Sequence, residues 1–136
     1  MAESKTRATA ANPDAYVAAI ADPARRSDCG ALLALMATAS KQPAVMWGPA
    51  IVGFGVHRYE LSGGKQGDIC AVGFSSRASD ISLYGMTGHA GAPALIARLG
   101  KHRLGKGCLY VKRLTDIHVA VLAALVAQSF AARHTA

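Results

Sequence analysis

Residues 45–86, VMWGPAIVGFGVHRYELSGGKQGDICAVGFSSRASDISLYGM, decide the fold. Their apolar residues come in short runs, AVMWG, AIVGFG, HRYEL, DICAVGFS and DISLYGM, broken by Gly, Ser or charge. Such runs read as strands of an antiparallel meander, with SGGKQG at 62–67 as a hairpin loop.

Outside this stretch the period changes. A short helix is expected over Asp14–Ala21. Asp22-Pro23 then supplies an N-cap followed by proline at the first helical position, and Cys29, Leu32, Leu33 and Met36 follow at helical spacing, so a second helix runs to about Ser40. After the meander, Pro93–Lys101 is helical with Leu95, Ile96 and Leu99 on one side, and GCLYVK at 107–112 is a further strand. Thr115 caps a last helix through Ala132, apolar nearly all round and therefore mostly buried. The resulting class is α+β, an antiparallel sheet of about four to five strands covered by N-terminal and C-terminal helices. Residues 1–12, small and polar, form a disordered leader, and residues 13–136 form one domain.

Composition narrows the setting. Cys29, Cys70 and Cys108 are odd in number and form no CxxC pair, so neither a disulfide framework nor a zinc knuckle is indicated, and a reducing cytoplasm fits. The apolar run Val119–Val126 is far shorter than the roughly 20 residues of a membrane span. The net charge of +7 is concentrated: Arg98, Lys101, Arg103, Lys106, Lys112 and Arg113 follow one another with no acid between them. A patch of this kind recruits an anion or nucleic acid, or is simply a solvated rim.

Within that patch GKHRLGKG, residues 100–107, comes within one residue of the phosphate-binding loop GxxxxGK followed by Ser or Thr. The context is reversed. A phosphate loop leads from a strand into a helix N-terminus, whereas here a helix precedes and a strand follows, and Gly107 lacks the hydroxyl that would ligate magnesium. The segment is a basic connecting turn, in which Gly100 ends the helix and Gly105 and Gly107 lead into the strand.

Four motifs together, MWGPAIVGFG at 46–55, GDICAVGFSSR at 67–77, ISLYGM at 81–86 and LGKHRLGKGCLYVKRL at 99–114, resemble the YdhG-like domain, a family of unknown function, over residues 14–130. The resemblance implies a small bacterial, cytoplasmic α+β domain, with a distant link to frataxin-like iron chaperones and no active site to carry over.

Four functions follow for weighing. The first is a non-enzymatic binding module for a small anionic or aromatic ligand. Alternation places Cys108, Tyr110 and Lys112 on one sheet face, with Ser82 and Tyr84 sharing a face likewise, and Trp47 and Tyr59 can join them. Lys101, Arg103 and Lys106 supply the cations beside these aromatic walls. The second, iron delivery, needs clustered carboxylates, but the eight acids are scattered and the histidines show no HxH or HxxxH spacing. No metal or other cofactor is indicated. The third is nucleic-acid binding through 98–113, where neither a helix-turn-helix nor an RNP-type strand is present. The fourth is catalysis by a thiolate, with Cys108 the best placed, two residues after Lys106, though no histidine can be set beside it. A homodimer through the second or last helix is left open.

Overall fold

The computed structural model describes residues 8–60, 62–105 and 108–135. In chain order they form β1 (Ala8–Thr9), α1 (Pro13–Ala18), α2 (Pro23–Ser40), β2 (Ala44–Trp47), β3 (Ile51–Phe54), β4 (His57–Glu60), β5 (Gln66–Ile69), β6 (Val72–Ser76), β7 (Ile81–Tyr84), α3 (Ala92–Leu99), β8 (Arg103–Leu104), β9 (Cys108–Val111) and α4 (Val119–Arg133). The class is α+β, as the periodicities require. No helix among the described residues is long and apolar enough to cross a membrane.

The sheet is larger than the four to five strands expected. Seven antiparallel strands run in the order β1-β2-β3-β6-β7-β9-β8, and β4 and β5 form a separate two-stranded ribbon. The additional strands are the two-residue edges. A two-residue strand has no room for alternation, so neither edge left a periodic signal. Ala8–Thr9, assigned to the leader from sequence, pairs with Met46 and Trp47, and Asn12 accepts hydrogen bonds from the Asp14 and Ala15 amides at the start of α1.

Helix boundaries follow capping chemistry. The Asp22 carboxylate accepts from the Arg25 amide, with Pro23 at the first helical position, and α2 ends at Lys41 in a left-handed conformation. The first helix stops at Ala18 instead of Ala21. Beyond it, the Ile20 and Ala21 carbonyls accept from the guanidinium of Arg26, which replaces the helical bonds they would otherwise make. Thr115 does not cap α4. It lies in a 3-10 turn, and the segment after it is extended because His118 donates to the Leu99 carbonyl and Gly100 bridges Ile117, so the helix begins at Val119.

Register assigns the two sheet faces. Val52, Phe74, Leu83 and Leu109 lie in one cross-strand row, with Phe54–Val72 and Ile81–Val111 beside it, all buried. Against this face pack Cys29, Leu32 and Met36 of α2 and Leu122, Leu125 and Val126 of α4, each fully buried. The opposite face carries Gly53, Gly73, Tyr84 and Cys108 in one row, and Ser75, Ser82, Tyr110 and Arg103 in the next. The helices thus take one face, and the other is left to form a site.

Candidate functional site

The described part of the glycine-bounded basic segment, residues 100–105, contains an edge strand, β8. Arg103 and Leu104 pair with Tyr110 and Leu109, which folds the basic residues back along β9. Gly100 ends α3 at φ 113°, open to glycine and closed to most other residues. Gly105 has a different reason. A Cβ there would lie 2.5 Å from Cε2 of Tyr110, so the ring needs the bare backbone beneath it.

This fold-back makes the cluster at the centre of the site. The Arg103 guanidinium lies 4.1 Å from the centroid of the Tyr110 ring and donates to Oδ2 of Asp80 at 3.0 Å. Asp80 stands at the β6–β7 turn, whose shape is held from behind. Arg25 of α2 donates to the Arg77 and Asp80 carbonyls and to Oγ of Ser76. Because the guanidinium of Arg103 is planar and carries several donors, the ion pair with Asp80 leaves others directed outward.

Beside this cluster lies an open cavity of about 450 Å³, lined by Arg77, Ser82, Tyr84, Arg103, Cys108 and Tyr110 together with the 78–80 turn. On the other flank of Arg103 and Tyr110 a smaller hollow of about 100 Å³ is lined by Lys101, His102, Lys112 and Asp116. The expected face is therefore assembled by register, since Ser82 pairs with Tyr110 and Tyr84 with Cys108. The Tyr110 hydroxyl is held above its ordinary pKa, first by charge repulsion between the phenolate and a Cys108 thiolate and then by the hydrogen bond with Cys108. Tyr110 is accordingly a proton-bearing donor across the neutral range.

Two of the expected residues stand elsewhere. Trp47 is 4 % exposed and packs over Gly53, where a Cβ would fall 2.5 Å from its Cδ1. Its indole N–H has no partner among the described residues. It caps the glycine row as a core side chain and contributes nothing to the cavity lining. Tyr59 belongs to the β4–β5 ribbon, where its hydroxyl and ring lie over Gly67. A glycine on the neighbouring strand, directly opposite Tyr59 and diagonal to Trp47, lets each ring lie down onto its own strand pair. Lys106 lies outside the described residues. Arg77 and Asp80, by contrast, belong to the cavity but were not singled out from sequence, because a turn residue's reach to β9 has no local signature.

The concentrated basic patch is also changed by folding. Arg103 is paired with Asp80, and Arg113 donates through Nε to Oδ2 of Asp28 at 2.8 Å. The acids missing from the local sequence return from far along the chain. Among the described residues no group of three or more His, Cys, Asp or Glu side chains comes together to hold a metal ion.

The thiols divide into two kinds. Burial pushes Cys29 up to about 11 and Cys70 up to about 12, whereas Cys108 is half-exposed on the cavity wall. At pH 8 a disulfide-exchange thiol reagent is expected to modify one cysteine per native chain, Cys108, and all three after unfolding. Peptide mapping checks this, and native labelling of Cys70 ahead of Cys108 would contradict it.

Comparison with protein-family models, with curated proteins and with solved structures finds no match for this chain.

Proposed function

We propose that the chain is a binding module for a small, flat, anionic ligand, seated in the cavity between Tyr84, Cys108 and Arg103. The observation that carries this reading is the pairing of an aromatic wall with two outward guanidinium groups, Arg77 and Arg103, around one cavity of about 450 Å³. That volume suits a small organic molecule. Tyr84 supplies a ring surface, Ser82 and the protonated Tyr110 supply polar contacts, and Arg103 is held ready by Asp80 and the Tyr110 ring. A positioned guanidinium loses little freedom on meeting a carboxylate or phosphate.

This reading includes membership of the YdhG-like family in a bacterial cytoplasm, supported by the four motifs, which lie on β2–β3, β5–β6, β7 and the β8–β9 hairpin. Nucleic-acid binding is the less favoured alternative, since Arg103 and Arg113 are already engaged with Asp80 and Asp28. Iron delivery is less favoured again, with Asp28, Asp68 and Asp80 each facing an arginine rather than one another. Catalysis by the Cys108 thiol is less favoured too, since no histidine is among the residues lining the cavity around it and Asp80 there is paired with Arg103.

Calorimetric titration with salicylate and with adenosine monophosphate tests the proposal. At least one is expected to bind saturably, and Arg103→Gln to weaken it at least tenfold, or about 1.4 kcal/mol. Undiminished binding in an Arg103→Gln/Tyr84→Ala double variant, or no saturable binding by either compound, would overturn it.

A further inference from the structure

We infer that a second cavity, at the end of α4, is a carboxylate-binding pocket for a small organic acid, with Arg133 as its anion-holding residue. It has a volume of about 300 Å³ and lies on the far side of Tyr84 from the cavity just described, with Ile51, Ile69, Cys70 and Thr87 in its walls. Its lining contains one charged side chain, Arg133, and no carboxylate.

Arg133 is placed there deliberately by the fold. Its Nε donates to the Ala71 carbonyl at 2.7 Å, and the chain makes room for it at Gly85, where a Cβ would lie 2.9 Å from that same Nε. His57 donates from Nδ1 to the Arg133 carbonyl at 2.8 Å, which fixes the backbone of the last helical turn. With Nε held, the terminal nitrogens of the guanidinium are the groups left to meet a ligand. Among the described residues they have no hydrogen-bond acceptor, and no carboxylate lies within ion-pair distance of them.

A half-buried guanidinium in this position is poorly compensated. The C-terminal end of α4 offsets part of its charge. Burial still pulls Arg133 below the ordinary arginine value, with the Cys70 thiol, itself protonated at neutral pH, offering little opposition. Compare Arg25, whose fork is met by two carbonyls and a hydroxyl, or Arg113, which meets Asp28. Arg113 also bonds through Nε, but to a carboxylate, whereas Arg133 meets only the neutral Ala71 carbonyl and has no counter-charge among the described residues. An incoming carboxylate completes the fork in a bidentate pair. The apolar walls at Ile51, Ile69 and Tyr84 suit the body of an organic acid, and the Thr87 hydroxyl gives a further polar contact. A neutral ligand of the same shape would gain the walls and leave the charge unmet.

Amide chemical-shift titration of the full chain with benzoate, benzamide and inorganic phosphate tests this. Benzoate is expected to shift the Gly85, Thr87 and Gly88 amides saturably, and benzamide to bind at least tenfold more weakly. Arg133→Gln should abolish the response. Because that change also removes the bond to Ala71, Ile69→Phe provides a second variant, which fills the pocket with the anchor intact and should weaken benzoate at least tenfold. Benzamide binding equal to benzoate, benzoate shifts confined to Ser82, Cys108 and Tyr110, phosphate saturating where benzoate does not, or no saturation by any of the three would each overturn the assignment. The location of the shifts separates this pocket from the Arg103 cavity.

Discussion

Gly85→Ala is expected to lower the stability of the fold by about 2–5 kcal/mol, read as a fall in the urea midpoint with the slope unchanged. Two independent costs add. Gly85 has φ 84°, where an L side chain costs roughly 1–2 kcal/mol. Its Cβ would also collide with the Ala71 carbonyl oxygen, a backbone atom unable to move without disturbing β6, and overpacking of this kind costs about 1–3 kcal/mol. Asn, which tolerates the conformation better, is expected to recover only the first cost. Gly30→Ala gives a control of opposite sign. That residue lies inside α2 with nothing within 4 Å of a Cβ, so alanine there should stabilise by about 0.5–1 kcal/mol. A loss below about 1 kcal/mol at Gly85 would mean that the β7–α3 turn relaxes easily, and the close seating of Arg133 against Ala71 would no longer explain this glycine.

How much of this was legible in the sequence depends on the range of the interaction concerned. The second helix was readable to the residue, Pro23–Ser40, because its cap, its proline and its apolar spacing are all local. So was the shared face of Ser82, Tyr84, Cys108 and Tyr110, since alternation is a property of each strand, and register then joined the two. The helical start at Val119 was not legible. Thr115 has the chemistry of a cap, but Leu99, Gly100 and Lys101 bond to the 116–118 segment and hold it extended, which is a tertiary override of local preference. The site was half legible for the same reason. Lys101, Arg103 and Lys112 could be found beside Tyr110 by counting along one hairpin, whereas the seating of Trp47 on Gly53 and of Tyr59 on Gly67 depends on a glycine in a partner strand. The charge reading was incomplete at two positions, Arg103 and Arg113. A run of six basic residues without an acid reads as an anion-recruiting patch or a solvated rim, and local sequence does not show that Asp80 meets Arg103 and Asp28 meets Arg113.

The Asp28 pairing sets the second large expectation. Its side chain is 9 % exposed, and one oxygen, Oδ2, accepts from Arg113 Nε at 2.8 Å and from the Leu114 amide at 3.2 Å. Asp28→Ala therefore strands a buried backbone N–H as well as breaking an ion pair. The orphaned amide alone costs about 1–3 kcal/mol, and a charge-assisted hydrogen bond is worth about 1.5–3 kcal/mol, so a combined loss of about 2–4 kcal/mol is expected after partial relaxation. The two parts separate by substitution. Asp28→Asn keeps an oxygen for the Leu114 amide and gives up the charge, and should retain about half of the stability lost in the alanine variant. Arg113→Leu should cost about 1–3 kcal/mol, because it leaves the 9 % exposed Asp28 carboxylate without its counter-charge while the Leu114 amide still bonds to it. The carboxylate also holds Arg113 above its ordinary pKa, chiefly through the hydrogen bond and then through charge, so in wild type the pair persists to the alkaline limit of the fold. In the Arg113→Leu background Asp28→Ala should still cost at least about 1 kcal/mol, since the amide is orphaned whether or not the arginine is present. If that residual cost is absent, the Leu114 amide has found water, and Asp28 acts only as a counter-ion. If it is present, the acid fastens the segment after β9 to α2, and the apparent surplus of charge in 98–113 is in part a structural clasp.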